Sequence, residues 1–301
     1  MKKSIVTLAL IISTCGLYAQ NATYKSGSVL WKVSGKDLKN PSYLLGTFHL
    51  KSGEYLDTIP GASEAFKSCE QVVGEIDMSN MLGMQMQMQQ AMMMSSDTTY
   101  KMLYSDEEYS FVSEKVASLA GMGLDQFGML KPAAIQLTVV MYAYMKHFPQ
   151  INPVNTLDAR IQSEAVNQQK KVLALETVED QIYVLFGIMS LKRQAEVLLC
   201  YLNNMDKIMA FVPDFIDAYN QGNINRLFEN DETSESCPST PEETAALNKD
   251  RNLKWMKKLP DIMKEGSSFI AVGALHLAGE DGLLNLLEKS GYKVEPIGIN
   301  Q

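Results

Sequence analysis

Two segments of this chain end alike: an apolar run closes in Gly-x-x-His-Leu. The first is Tyr43-Leu44-Leu45-Gly46-Thr47-Phe48-His49-Leu50, and the second is Phe269-Ile270-Ala271-Val272-Gly273-Ala274-Leu275-His276-Leu277. Of three histidines in 301 residues, two occupy this context, more than two hundred residues apart. Each run has the length and composition of a buried strand, which places each histidine at a strand's carboxyl end. The glycine three residues earlier can turn the chain sharply or admit a close backbone neighbour. Sites in open α/β sheets form beyond the carboxyl ends of the strands. The repeat therefore predicts one site built from both ends of the sequence.

The two segments have similar surroundings. Ser28–Val33 and Ser42–Thr47 read as a hairpin, Gly61–Ser68 as a helix and Gln71–Ile76 as the next strand. Ser268–Gly273, Gly279–Ser290 and Tyr292–Ile297 repeat the order strand, helix, strand. Between them the pattern is helical from about residue 79 to 255, broken by the strand Lys171–Leu175. This reads as a divergent duplication flanking a helical insertion. The expected fold is α/β (α+β), a central mixed sheet covered by helices, in one domain over residues 20–301. Asn230–Pro241 reads as a surface loop.

Residues 1–19 have the pattern of an export signal: Lys2 and Lys3, then an apolar run from Ile5 to Ile12, then Leu17-Tyr18-Ala19 as a cleavage site. Cys15 offers a rival lipoprotein-type reading, in which an N-terminal lipid anchors the chain. No later segment is apolar enough for a membrane span, so the expected location is periplasmic or secreted. Removing Lys2 and Lys3 leaves 25 basic against 35 acidic groups, a net charge of −10. An acidic chain without a basic cluster excludes nucleic acid as an expected partner. Cys69, Cys200 and Cys237 remain, and export permits a disulfide. Cys237, in the polar loop, is the expected half-cystine, with Cys69 as first-choice partner. No CxxC spacing points to structural zinc.

Strand ends also carry acids. Glu75 and Asp77 follow Gln71–Gly74, and Glu176 follows Lys171–Leu175. A carboxylate directly after an apolar run needs a metal, a donor or water to offset its desolvation. Two imidazoles and one or two carboxylates suit a divalent transition metal. The plainer readings are a hydrogen-bonded structural histidine and a carboxylate at a helix N-terminus. His147, before Phe148-Pro149, reads as a helix C-terminal residue without a chemical role. Met81, Met84, Met88 and Met92 fall on one helical face. They suit either a soft-metal site or, as the preferred reading, a pliable apolar wall.

The ordered landmarks resemble the TraB/GumN family, which includes the Tiki proteins and is distantly similar to erythromycin esterase and the haem-binding ChaN proteins. The resemblance rests on Leu45-Gly46-Thr47-Phe48-His49 and Val272-Gly273-Ala274-Leu275-His276. It continues through Val72-Val73-Gly74-Glu75, Thr156-Leu157-Asp158, Leu175-Glu176-Thr177-Val178-Glu179-Asp180-Gln181 and Arg251-Asn252 before Trp255. It implies a metal-dependent, peptidase-like hydrolase acting on a peptide or protein. His49, His276 and Glu75 would hold a divalent ion of the Mn, Co or Zn class. Glu75, Glu176 and Arg251 would be the catalytic groups, with Asp158 a secondary acid. Two other functions fit the same resemblance. One is a non-metal hydrolase with a His/Glu base; the other is a binding protein for haem or another ligand.

Overall fold

The structure is a computed structural model and describes residues 27–79, 81–149, 155–232 and 236–298. The signal segment 1–19 and Cys15 lie outside the described residues. Six strands form one sheet: β1 (Leu30–Ser34), β2 (Ser42–Thr47), β3 (Gln71–Gly74), β4 (Lys171–Ala174), β5 (Ser268–Gly273) and β6 (Lys293–Ile297). Their spatial order is β4-β3-β5-β2-β1-β6. Only β1 runs against its neighbours, pairing antiparallel with β2 and β6. The fold is therefore the expected mixed α/β arrangement, and the Ser42–Thr47 hairpin arm pairs as the sequence predicts.

β2 and β5 are adjacent and parallel, with Gly46 opposite Val272 and Thr47 opposite Gly273. The two Gly-x-x-His motifs thus leave neighbouring strands at the same end of the sheet. Leu44, Leu45, Phe269, Ile270, Ala271 and Val272 are buried on both faces of this centre, which explains near-continuous apolar runs in place of alternation. β2 leads through α1 (Ala62–Ser68) to β3, on the far side of β5. β5 leads through α13 (Leu283–Lys289) to β6, on the far side of β2 and β1. The two halves cross outward in opposite directions about the β2–β5 pair.

The insertion carries α2 (Met81–Ala91), α3 (Tyr100–Leu103), α4 (Asp106–Ala120), α5 (Pro132–His147) and α6 (Leu157–Asn167) before β4. After β4 come α7 (Val178–Phe186), α8 (Leu191–Asn220), α9 (Ile224–Glu232), α10 (Pro241–Leu247), α11 (Lys249–Met256) and α12 (Leu259–Glu265). Here the structure adds something the pattern does not show. Val112, Val116, Ile135, Val139, Leu198 and Leu202 form an apolar cluster of their own, separate from the sheet's core. The 30-residue α8 passes from this cluster into the sheet's core, where Ala218 and Tyr219 are buried. Tyr219 Oη donates to the Gly46 carbonyl at 2.8 Å, so α8 clamps the first motif directly. No described helix is long and apolar enough to cross a membrane.

The strand Gln71–Ile76 ends early, at Gly74, and α13 begins at Leu283 rather than Gly279. Gly279 holds φ of +85°, a left-handed turn that a helix cannot continue through. The disulfide also differs from expectation. Cys237 is bridged, but to Cys200, with Cα atoms 5.8 Å apart. Cys69 is a free thiol buried at the end of α1, and burial pushes its thiol up to about 12. Met88 on α2 and Met92 just after it pack against Ala133, Ala134 and Phe186, while Met86 is 65% exposed.

Candidate functional site

Glu75 and Glu176 follow adjacent parallel strands, β3 and β4, and the Glu176 amide donates to the Glu75 carbonyl at 2.9 Å. Thr177 then caps α7, its hydroxyl accepting from the Asp180 amide while Asp180 accepts from the Thr177 amide. The chain therefore turns directly from strand to helix and holds Glu176 at the mouth of the sheet. Glu75 Oε1 accepts the Gly273 amide at 2.8 Å, which ties the third strand to the second motif.

Arg251, on α11, joins the acids. Its Nη2 donates to Glu75 Oε2 and to Glu176 Oε1, both at 2.6 Å, and its Nε donates to Glu176 Oε2 at 3.1 Å. Its Nη1 donates to His276 Nε2 at 3.0 Å. Gln181 Nε2 and Trp255 Nε1 take further places on Glu176, at 2.8 and 3.2 Å. The His276 ring packs on Trp255 with centroids 4.4 Å apart, and the guanidinium carbon sits 4.8 Å above the same indole.

Each histidine is fixed through Nδ1. Asn252 Nδ2 donates to the carbonyls of His276 and Asp281, at 3.1 and 2.8 Å. Its Oδ1 must then accept from His276 Nδ1–H, at 2.8 Å. This assigns the tautomer: Nδ1 carries the proton and Nε2 carries the lone pair. His49 Nδ1 faces Asp158 Oδ2 at 3.2 Å. That oxygen is buried and has no other hydrogen-bond partner among the described residues. Asp158 Oδ1 accepts the Thr47 hydroxyl at 2.7 Å. Asp158 itself is set in the first turn of α6 by the Thr156 cap.

The two histidines differ in environment. His276 is buried, and burial lowers its pKa to about 4. His49 is 72% exposed, and the hydrogen bond to Asp158 raises its pKa despite partial desolvation. Burial pushes the Glu75 carboxyl up. The adjoining His276 imidazole, the Arg251 guanidinium and the Gly273 amide together outweigh it, so Glu75 is held below the usual carboxylate range. Glu75 and Arg251 act electrostatically on both imidazoles, and the imidazoles act on each other.

The glycines have specific tasks. A Cβ on Gly46 would lie 3.0 Å from Ala274 Cα and from Leu277 Cδ2, so this glycine lets the second motif pack against the first. Gly273 has an ordinary φ of −52° and room for a Cβ; its contribution is the amide given to Glu75.

The structure thus brings His276, Glu75, Glu176 and Arg251 into one bonded cluster, and pairs His49 with Asp158 beyond the end of β2. Among the described residues no three His, Cys, Asp or Glu side chains stand as a metal-ligand group. His147 closes α5, its Nδ1 at 2.9 Å from the Ala143 carbonyl. Sequence reading did not give roles to Asn252, Trp255, Gln181 and Thr47. One signal was present: Arg251 and Trp255 are four apart on a helix, hence on one face.

The family model for the TraB/PrgY/gumN family matches residues 29–296. A curated relative, Metalloprotease TIKI2 of Danio rerio, is 24% identical over an alignment covering 89% of this chain and 60% of the relative. The chain therefore spans less than two thirds of that relative's length. No solved structure matches. The chain belongs to the TraB/PrgY/gumN family.

Proposed function

We propose that this protein is an exported hydrolase that cleaves peptide bonds with a divalent transition metal held by His49, His276 and Glu75. The observation that carries this reading is the paired anchoring of the imidazoles. Asp158 and Asn252 each take an Nδ1, which is how side chains behind a metal site orient ligating histidines; His276 Nε2 accepts from Arg251 Nη1 at 3.0 Å. The donor set of two imidazoles and a carboxylate suits the Mn, Co or Zn class. Family membership and a relative that is a metalloprotease support the same class of reaction. Export is supported by the pattern of residues 1–19 and by the Cys200–Cys237 disulfide, a bond favoured in oxidising compartments.

When bound, the metal supplies a polarised carbonyl and a more acidic water. The protein's own groups supply the rest. Glu75, held ionised, would take the proton of the attacking water on whichever carboxylate oxygen is not given to the metal, and would return it to the leaving amine as the C–N bond breaks. Glu176 is the more heavily held of the two acids: its oxygens take four donors from Arg251, Gln181 and Trp255, against three on Glu75 from Gly273, Arg251 and Gln181. It positions Arg251. Arg251 in turn faces the groups that develop negative charge.

A metal-free route has one observation in its favour. Asp158 orients the exposed His49, as a carboxylate orients a catalytic base. Chelation separates the two. A mass-spectrometric peptide-library assay is expected to show cleavage by the wild type. Chelator, His49→Ala, His276→Ala and Glu75→Gln should each abolish it. Cleavage that survives exhaustive chelation, or survives His276→Ala, refutes the metal-dependent reading.

A further inference from the structure

We infer that Gln181 reads the substrate: its side-chain carbonyl oxygen, Oε1, accepts one backbone N–H of the bound peptide within two residues of the scissile bond. The inference rests on the reading above that this cluster hydrolyses a peptide, and it holds with or without a metal.

The bonding of the side-chain amide carries the argument. Gln181 Nε2 donates to Glu176 Oε1 at 2.8 Å and to Glu75 Oε2 at 3.2 Å. Both acids also take N–H groups of Arg251, Glu176 through a two-pronged pair. A carboxylate held by a guanidinium is an acceptor with no proton to give. The amide therefore lies only one way round, with its nitrogen to the acids. Flipped, it would set its oxygen against two carboxylates. Both of its N–H groups are used, and its oxygen faces away from the pair.

That oxygen takes no donor from the described residues and is not sealed from solvent. Bond lengths put the oxygen of an amide about 2.3 Å from its nitrogen. Oε1 therefore lies within about 5.5 Å of Glu75 Oε2, the 3.2 Å hydrogen bond plus that span. An extended peptide advances about 3.3–3.6 Å per residue. A chain whose scissile carbonyl meets the water activated by Glu75 thus carries an N–H past Oε1 within two residues.

The acceptor is also held still. The Gln181 amide closes the first turn of α7 onto the Thr177 carbonyl at 3.2 Å, and Thr177 and Asp180 cap that turn reciprocally. Glu176 is fixed from its other side by Trp255 Nε1. An acceptor locked in place loses little freedom when a ligand arrives, so one hydrogen bond can discriminate. The ligand class is a peptide that keeps its N–H at this position. An ester linkage or a proline, which has no N–H, is disfavoured there.

The probe is a peptide that the wild type cleaves in the library assay, resynthesised as a series. In each member one N–H within two residues of the scissile bond is replaced by an ester oxygen. Cleavage at the scissile bond is followed by mass spectrometry, as kcat/KM, for the wild type and Gln181→Met. Methionine keeps the length of the side chain and removes its donors and its acceptor, so the rate falls on every peptide. The readout is the ratio of amide to ester at each position, which a residue that merely held the two acids would not change. Should Gln181→Met cleave too slowly, calorimetric binding of the same series, with the scissile bond reduced to a methylene-amine, gives the ratio without turnover. Expected is one position at which the ester costs the wild type about 3–10-fold, the worth of one neutral hydrogen bond. In Gln181→Met that penalty disappears, and the penalties elsewhere stay as in the wild type. The wild type alone can overturn the inference. If it cleaves the parent peptide and no ester within reach costs about threefold, Gln181 reads nothing and the hydrolase reading stands. An equal penalty in Gln181→Met has the same meaning. If the wild type cleaves no peptide in the library, the hydrolase reading falls and this inference falls with it.

Discussion

Lowering the pH from 6.5 to 4 should weaken the fold through His276, in a window where this residue can be isolated. In the unfolded chain His276 titrates near its ordinary 6.5, and in the fold burial lowers it to about 4. Between these values the unfolded chain binds a proton that the native state refuses, so stability falls as pH falls. At about 1.36 kcal/mol per unit, the lowering from 6.5 to about 4 amounts to about 3 kcal/mol. His49 acts elsewhere. Its raised pKa gives stability that is fully present below 6.5 and is lost as pH rises through the raised value. Glu75, held low, gives stability that is present above 4.5 and is lost as pH falls through its lowered value. Most of the slope between 6.5 and 4.5 therefore belongs to His276. The assay is urea denaturation at closely spaced pH values, on the wild type and on His276→Gln. The variant removes the titration, so its absolute stability shifts while its slope in this window flattens. Equal slopes in the two proteins would refute the claim that a buried, neutral His276 is part of the native site.

Three further outcomes follow from particular contacts. Serine at Cys200 and Cys237 should remove about 4 kcal/mol, the loop-closure entropy for a sequence separation of 37, read as a lower denaturation midpoint that reductant no longer changes. Gly46→Ala should cost about 1–3 kcal/mol in the same assay, because its Cβ would press on Ala274 and Leu277 at 3.0 Å. Asn252→Leu keeps the volume but leaves His276 Nδ1–H and two carbonyls without partners. It should destabilise the fold by about 3 kcal/mol or more and weaken Zn²⁺ binding about 10–100-fold, by denaturation and calorimetry respectively.

The sheet was legible because its strands are short, apolar and bounded by glycine, and because the duplicated motif revealed which two belong together. Register was not legible: nothing in the sequence says that β3 slots beside β5 rather than β2. The same limit applies at the site. Glu75 and Glu176 stand out as acids after apolar runs. Asn252 and Thr47 do not, because an amide or hydroxyl beside a chemical residue has no pattern of its own and acquires its role only when the fold brings it to its partner, the His276 imidazole for Asn252 and the Asp158 carboxylate for Thr47. The second apolar cluster was hidden for a different reason. Helical periodicity shows that a face is buried but not against what, and α8 buries its length in two separate places. The cysteines were mispaired because accessibility, not sequence position, decides which thiols meet, and Cys69 is buried in the sheet's core cluster.

The central claim is that the two motifs converge on one ion. Crystals of the Zn²⁺-loaded protein, measured at the zinc absorption edge, test it most directly. The account predicts one anomalous peak per chain, about 2.0–2.1 Å from Nε2 of both His49 and His276, with a Glu75 oxygen in its coordination shell. A peak bound by only one of the two histidines, or no peak at their shared strand ends, would contradict it.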